Sequence, residues 1–146
     1  MVWKPHVTVA AIVERDGRFL VVEEKVRGDR VLNNPAGHLE PGESFLEAVR
    51  RETLEETGWE FEPAAVTGIY LWKNGQDETM LRIAFHGHCA KHHSDRALDK
   101  DILAALWLSR VELTQPDRQL RSPLVLQCID DYLAGKRYPL ELLMHL

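Results

Sequence analysis

Three glutamates within five residues are the side chains of this sequence best suited to chemistry. The segment RETLEETGW, residues 51–59, places Glu52, Glu55 and Glu56 at positions i, i+3 and i+4. On an α-helix these carboxylates share one stripe, where like charges repel one another. Clustered carboxylate oxygens suit Mg²⁺ or Mn²⁺, and substrate phosphates can complete the coordination shell. The stripe predicts a divalent-cation site, although the same triplet is also typical of a solvated helix face.

Arg51 lies on the other flank of the same predicted helix. It is four residues from both Glu47 and Glu55, so we expect its guanidinium to reach both carboxylates and hold them in place. The neighbouring stripe through Val49 and Thr53 is predicted to face the core. The acidic stripe is therefore expected at the edge of the buried face and not on the far solvent side.

The loop before the helix extends the pattern. In order, the fixed positions are Gly37, Glu43, Arg51, Glu52, Glu55, Glu56 and Gly58, the spacing of the Nudix box. A chance match to seven such positions has a probability of roughly 10⁻⁸ per register, given ordinary residue abundances. The segment GHLEPGESFLEAVRRETLEETGW thus resembles the signature of the Nudix hydrolase family. Thr53 departs from it, because an aliphatic residue is usual there; its place on the core-facing stripe affects packing and not chemistry.

The resemblance implies an α/β (α+β) fold, namely an α/β/α sandwich with a mixed sheet. It also implies a divalent metal ion, Mg²⁺ with Mn²⁺ as a possible substitute, and hydrolysis of a diphosphate linked to another group. By the same resemblance Glu52, Glu55 and Glu56 are expected as metal ligands, and Gly37 is expected to offer its backbone carbonyl.

Catalytic roles follow from the same resemblance. Arg51 and Glu43 are expected to orient the carboxylates, and Glu56 is the first choice to accept a proton from the attacking water. Asp101 is the second choice, because it precedes the strand that carries Trp107 in a loop where Nudix proteins often place another acid. The alternative for Asp101 is a solvated loop aspartate, which is the usual environment of this residue type.

Similarity to known proteins also covers both ends of the chain. The stretches KPHVTVAAIVERDGRFLVVEE, NPAGHLEPGE and RSPLVLQCIDDYLAGKRYPLEL resemble the NudJ subgroup of the family. That resemblance implies release of orthophosphate from nucleoside tri- and diphosphates. It also implies action on thiamine diphosphate and its hydroxymethylpyrimidine diphosphate precursor, and a monomer.

Turn, cap and periodicity signals predict the surrounding elements. Strands are expected at 6–13, 19–25, 65–72, 79–88 and 104–109, with turns at 15–18, 27–30 and 74–75. Residues 31–43 are expected to form a short extended piece followed by a loop, and residues 90–101 a polar loop. The acidic helix should begin after Ser44, which forms a capping box with Glu47, and end at Gly58. A second helix is expected between Pro123 and Gly135. Strands with one early and one late helix favour a mixed sheet covered by helices.

Bulk composition narrows the class of protein. The chain has 146 residues, which suits one domain spanning 1–146, and its net charge of −5 argues against binding a nucleic acid polymer. No apolar run is long enough to span a membrane, and no signal peptide is evident. Cys89 and Cys128 form no close pair, so a disulfide framework is not expected and the cytoplasm is the predicted location.

Substrate contacts are expected from residues outside the box. Trp3, Tyr70 and Trp72 are candidates to stack on a base or pyrimidine ring, with a core role as the alternative for each. Arg82 is the preferred phosphate ligand, because a strand interior is an unusual place for a solvated arginine. His86 and His88 alternate along one predicted strand, but no third ligand at zinc-like spacing accompanies them, which favours a structural role.

Three functions fit these observations. The first is a Mg²⁺-dependent phosphohydrolase of nucleotides and thiamine-related diphosphates, acting on small molecules. The second is a house-cleaning nucleoside triphosphate pyrophosphohydrolase that releases pyrophosphate. The third is a Nudix-fold sensor that binds a metabolite without cleaving it. Such a sensor could dispense with its helix glutamates, and the presence of all three together with Arg51 weighs against it.

Overall fold

Eight strands form two four-stranded sheets in the computed structural model, which describes residues 1–146. The strands are β1 (His6–Ile12), β2 (Glu14–Arg15), β3 (Arg18–Val26), β4 (Asp29–Asn33), β5 (Ala36–His38), β6 (Trp59–Lys73), β7 (Thr79–His92) and β8 (Ile102–Leu108). The helices are α1 (Phe45–Thr57), α2 (Arg110–Leu113) and α3 (Leu124–Leu133), followed by a 3₁₀ turn at Leu140–Leu142. None of the helices has the length and apolar character required to cross a membrane.

The first sheet is mixed and lies between helices. Its strand order is β5-β1-β7-β6, with β1 parallel to β7 and the other pairs antiparallel. Val9 and Ala11 of the central strand β1 pack in the same cluster as α1, whereas Ala10 and Ile12 pack in the cluster that contains α3. The continuous apolar run of β1 is thereby explained, since both faces of this strand are covered. The arrangement confirms the predicted α/β/α architecture.

The second sheet is antiparallel and is organised around β3. This strand pairs with β2, β4 and β8. Arg27 and Gly28 connect β3 to β4 and both have positive φ angles, 53° and 86°, as a two-residue hairpin turn requires. The predicted turn at 27–30 is therefore correct at its centre, but β4 already begins at Asp29.

Helix α1 begins and ends as its sequence predicted. The Ser44 side chain accepts a hydrogen bond from Glu47 N–H, and the Glu47 carboxylate accepts one from Ser44 N–H. Gly58 ends the helix with a φ of 76°, in the left-handed region that glycine tolerates. Thr53 is fully buried, and its hydroxyl donates to the Val49 carbonyl at 2.7 Å. That hydrogen bond satisfies the polar atom where an aliphatic side chain is usual.

Several boundaries differ from the prediction. Strand β6 starts at Trp59 and not at 65, because three register irregularities let it continue through Pro63 while it remains paired with β7. Strand β7 likewise extends to His92, which shortens the following loop to residues 93–101. Helix α2 was not predicted, although Ser109 and Glu112 form the same capping-box signal that marks α1.

Candidate active site

Arg51 connects the acidic residues of the box. Its Nε and Nη2 atoms contact the two oxygens of Glu43 at 2.6 and 3.0 Å. Its Nη1 lies 2.7 Å from Glu52 Oε1 and 2.8 Å from Glu55 Oε1, and Nη2 also donates to the His38 carbonyl. One planar guanidinium thus fixes three carboxylates at once, which offsets the repulsion that their spacing creates. These contacts also lower the pKa of Glu43.

The expected contact between Arg51 and Glu55 is present, but the expected contact with Glu47 is wrong. Glu47 is engaged by the backbone of Ser44 in the capping box. Glu43, which precedes the helix, takes its place beside Arg51 because the loop turns back over the first helical turns. The arginine therefore joins the loop to the helix and does more than link two helical turns.

Glu56 lies on the same stripe but is buried, with 8% of its surface exposed. Its Oε1 accepts a hydrogen bond from Ala36 N–H at 2.9 Å, which attaches the helix to edge strand β5. Burial raises the pKa of this carboxyl to about 9, and the nearby charge of Glu52 acts in the same direction. No cationic side chain forms an ion pair with it. A bound cation would favour the ionised carboxylate and so fits this position.

Gly37 of β5 lies against the Glu52 carboxylate. A Cβ atom at this position would overlap both carboxylate oxygens and the carbon between them. The absence of a side chain therefore leaves room for the carboxylate beside the strand backbone. This close approach places the backbone of Gly37 and the side chain of Glu52 together, as the box pattern predicts.

A fourth acid, Asp99, joins the helix glutamates from the loop at 93–101. Ligand oxygens of Glu52, Glu55 and Asp99 all lie within 4.8 Å of one another. The Asp99 N–H donates to the Glu55 carbonyl at 3.0 Å, so the loop is attached directly to the acidic helix. Burial and the charge of Glu55 raise the pKa of Asp99.

Asp101 does not occupy the position that the sequence predicted for it. It is exposed, its carboxylate belongs to no ion pair, and its backbone carbonyl accepts a hydrogen bond from Lys25 N–H. Because the loop reaches the helix at Asp99, two residues earlier, Asp101 lies beside β3 instead. The loop thus brings an acid to the helix glutamates, but that acid is Asp99 and not the predicted Asp101.

These acids together fit a hard divalent cation. The clustered donors are carboxylate oxygens of Glu52, Glu55 and Asp99, and no sulfur or imidazole is among them. A cation would stabilise the charge of the Glu52 carboxylate, which lies against Gly37. It would do the same for Glu56, which is buried without a cationic side chain beside it. The geometry can therefore hold a metal ion next to the phosphates of a substrate.

A cleft of about 640 Å³ opens beside these carboxylates. Glu52, Glu56 and Gly37 line one end, and residues of both sheets form the rest of its wall. Trp72 of β6 is half-buried and lines the cleft, where it is accessible to the base or pyrimidine ring of a bound molecule. Arg82 of β7 also lines it and is only 5% exposed.

The two other aromatic candidates do not reach the cleft. The Tyr70 hydroxyl donates to Asp131 at 2.7 Å, and this ring packs with the α3 cluster. Trp3 is 68% exposed in the segment before β1 and is absent from the cleft wall. Of the three aromatic candidates, the cleft wall therefore includes Trp72 alone.

His86 has a structural role, as expected. Its Nδ1 lies 3.1 Å from the Thr67 hydroxyl, and its Nε2 accepts a hydrogen bond from Arg137. Both ring nitrogens are thereby used within the protein, while His88 is exposed on the same strand. The two histidines form no metal cluster.

Comparison with known proteins identifies the family to which this fold and its acidic helix belong. The family model described as NUDIX domain matches residues 4–127. The chain belongs to the Nudix family and is a phosphohydrolase.

Individual relatives resemble the chain over nearly its whole length. It is 41% identical over 141 residues to "Phosphatase NudJ" of Escherichia coli strain K12, covering 97% of this chain and 92% of that protein. A solved "NUDIX hydrolase from Nitrosomonas europaea" superposes with a TM-score of 0.95 at 50% identity, covering 98% of each chain. A MutT NUDIX hydrolase from Burkholderia pseudomallei shares the fold at 22% identity, with a TM-score of 0.74 over 88% of this chain and 98% of that one.

Proposed function

We propose that this protein is a Mg²⁺-dependent hydrolase, with Mn²⁺ as a substitute, that releases orthophosphate from small-molecule diphosphates. The observation that carries the proposal is the group of carboxylates ordered by Arg51, of which Glu52 lines the cleft. A divalent cation held there would acidify water and offset the charge on phosphoryl oxygens. Hydrolysis of a phosphoric anhydride requires both effects.

The chain's own residues divide the remaining work. Glu52, Glu55 and Glu56, with the Gly37 carbonyl and Asp99, would hold the cation. Glu56 is also our choice to accept the proton of the attacking water. Its Oε1 is occupied by the Ala36 N–H, so Oε2 is the atom that remains for proton transfer.

Arg51 and Glu43 act indirectly in this proposal. Each of the three carboxylates beside Arg51 is held through charge-assisted hydrogen bonds, so the ligands are ordered before the cation arrives. Because 24% of the Arg51 side chain is exposed and its donors are engaged, we assign it to positioning and not to substrate contact.

The proposed substrates are nucleoside tri- and diphosphates, thiamine diphosphate and hydroxymethylpyrimidine diphosphate. Resemblance to the NudJ phosphatase supports orthophosphate as the product, since the similarity covers both ends of the chain. We further propose that the protein is a single-domain monomer of the cytoplasm. Two buried, unpaired cysteines, Cys89 and Cys128, support a reducing compartment.

Metal dependence and substrate range can be tested together. The purified protein is treated with EDTA, then assayed with Mg²⁺ or Mn²⁺ on a panel containing GTP, GDP and thiamine diphosphate. We expect no orthophosphate release without metal and release from all three substrates with it. Release that persists in EDTA, or no release from any member of the panel, would overturn the proposal.

A further inference from the structure

Arg82 is a buried cation in the cleft wall that has no anionic partner. Its Nη1 and Nη2 donate to the side-chain oxygens of Asn34 and Asn33, at 2.8 and 3.2 Å, and its Nε has no hydrogen-bond partner. Nη1 also lies 3.9 Å from the sulfur of Cys128. All of these partners are neutral, so the positive charge is not compensated within the protein. Burying an unpaired charge is costly, so buried charges are normally paired, and an anion in the cleft would supply the missing partner.

The carboxylate that contacts Asn33 is already paired with another arginine. Asn33 donates its amide N–H to Glu24 at 3.4 Å, and Glu24 is paired with Arg121 at 3.2 Å. Since the negative charge of Glu24 is neutralised by Arg121, the charge of Arg82 remains in excess. Arg82 therefore keeps a positive charge without a carboxylate partner, unlike Arg51 beside the helix glutamates.

Arg82 also determines how Asn33 is oriented. Because the guanidinium donates to the Asn33 oxygen, the amide must turn its NH₂ group away from Arg82. One N–H of this group donates to Glu24, and Asn33 belongs to the cleft wall, so the second N–H is the donor left for an acceptor in the cleft. Arg82 supplies charge, and Asn33 supplies a directed hydrogen bond.

The sheet register places this pair at a useful distance from the metal-binding end. Thr8 of β1 is opposite His38 of β5 on one side and Arg82 of β7 on the other. Two strand spacings therefore separate the backbones of His38 and Arg82, which is roughly 10 Å. Gly37, beside the glutamates, is the neighbour of His38. A phosphate chain held at the glutamates can thus extend toward Arg82.

We propose that Arg82 and Asn33 form an anion subsite that binds the substrate phosphate next to the one held at the carboxylates. This inference deepens the proposed function and rests on it for the identity of the substrate. The subsite would favour substrates with at least two linked phosphates, because a single phosphate cannot occupy the carboxylate end and the Arg82 end together.

Direct binding of methylenediphosphonate, a non-hydrolysable analogue of diphosphate, tests the subsite without turnover. The informative variant is Asn33→Asp, which keeps the side-chain size and gives Arg82 the anionic partner that it lacks. We expect it to bind the diphosphonate about 10-fold or more weakly in the presence of Mg²⁺. Its thermal stability should change little, because the ion pair gained with Arg82 is offset by the loss of the hydrogen bond to Glu24. Gln119→Glu adds the same charge elsewhere on the cleft wall and serves as the control.

A second variant, Arg82→Gln, removes the charge itself and should weaken diphosphonate binding to a similar degree. In turnover assays, both variants should raise KM for GDP more than they lower kcat. Undiminished diphosphonate binding by Asn33→Asp would overturn the subsite, even if the enzyme hydrolyses GDP normally. A loss in Gln119→Glu equal to that in Asn33→Asp would also overturn it, because the effect would then reflect the charge of the cleft as a whole.

Discussion

Arg51 grips Glu43 through two parallel contacts, Nε to Oε2 at 2.6 Å and Nη2 to Oε1 at 3.0 Å. The remaining donor, Nη1, is shared by Glu52 and Glu55 on the helix. Only a planar fork with donors on several edges can satisfy a loop carboxylate and two helix carboxylates at the same time. The geometry of the acidic site therefore depends on the shape of this side chain as well as on its charge.

Replacing Arg51 with lysine should separate the contribution of the guanidinium's shape from that of its charge. Arg51→Lys retains the positive charge but contacts at most part of the carboxylate set, so we expect the Mg²⁺ concentration for half-maximal activity to rise about 10-fold. The melting temperature should change little, since the site is near the surface. Arg50→Lys is a matched control, because Arg50 pairs with Glu62 outside the site. Loss of substrate affinity at saturating Mg²⁺, with metal affinity intact, would contradict a positioning role.

Two aspartates in one loop provide the next comparison. Asp99 lies with Glu52 and Glu55, whereas Asp101 is exposed and only its backbone is engaged. Asp99→Asn should weaken metal binding about 10-fold or more, measured by Mn²⁺ titration, and Asp101→Asn should leave it unchanged. Equal effects of the two substitutions would show that the loop acts through general charge and not through coordination.

The local features of the acidic site could be predicted from the sequence. The stripe of Glu52, Glu55 and Glu56 was predictable because helical spacing determines which side chains share a face. The caps of α1 were predictable for the same local reason, since Ser44 and Glu47 interact over a single turn. Val49 and Thr53 were likewise placed correctly in the core.

Contacts between distant segments were not predictable in this way. Asp99 reaches the helix through a hydrogen bond to Glu55, which depends on how the 43 residues between them fold. The sequence made Tyr70 a candidate for stacking on a substrate ring, but in the folded protein its hydroxyl is hydrogen-bonded to Asp131 of α3. Periodicity shows which side of a strand a residue occupies, but it does not show what packs against that side.

The buried position of Glu56 leads to a prediction about stability as well as turnover. Glu56→Gln removes the proton acceptor, so turnover should fall at least about 100-fold. Because burial raises the pKa of Glu56 to about 9, ionisation opposes folding as the pH rises above the normal glutamate value. The metal-free variant should therefore be as stable as the wild type or more so at neutral pH, measured by thermal unfolding. Full activity would remove Glu56 from the mechanism.

His86 should make stability depend on pH. Burial and the neighbouring Arg137 lower its pKa below the usual 6.5, so the unfolded chain binds this proton more readily than the folded one. The free energy of unfolding should consequently fall as the pH drops below 6.5, by at most about 1.4 kcal/mol per pH unit for one proton. His86→Gln should flatten this slope, measured by urea unfolding at several pH values, and the exposed His88→Gln should not. An unchanged slope in His86→Gln would assign the pH dependence to other groups.

The identity of the released product separates the two hydrolase functions. Attack on a terminal phosphorus releases orthophosphate, whereas attack on an inner phosphorus of a triphosphate can release pyrophosphate. The chemistry is the same in both cases, so the outcome depends on which phosphorus lies in line with the attacking water. Residues that set this position lie outside the box, where the chain resembles the NudJ phosphatase. We therefore expect stepwise conversion of GTP to GDP and then GMP, and of thiamine diphosphate to its monophosphate.

Orthophosphate release from GTP, measured with and without added inorganic pyrophosphatase, decides between release of orthophosphate and release of pyrophosphate. Equal release in both assays, with GDP visible as an intermediate by chromatography, is the expected result. Glu56→Gln processed in parallel controls for contaminating phosphatases, because it should retain the fold but lose the activity. If orthophosphate appears only when pyrophosphatase is present and GMP forms without GDP, the enzyme cleaves at the inner phosphorus. The house-cleaning pyrophosphohydrolase would then be the correct function.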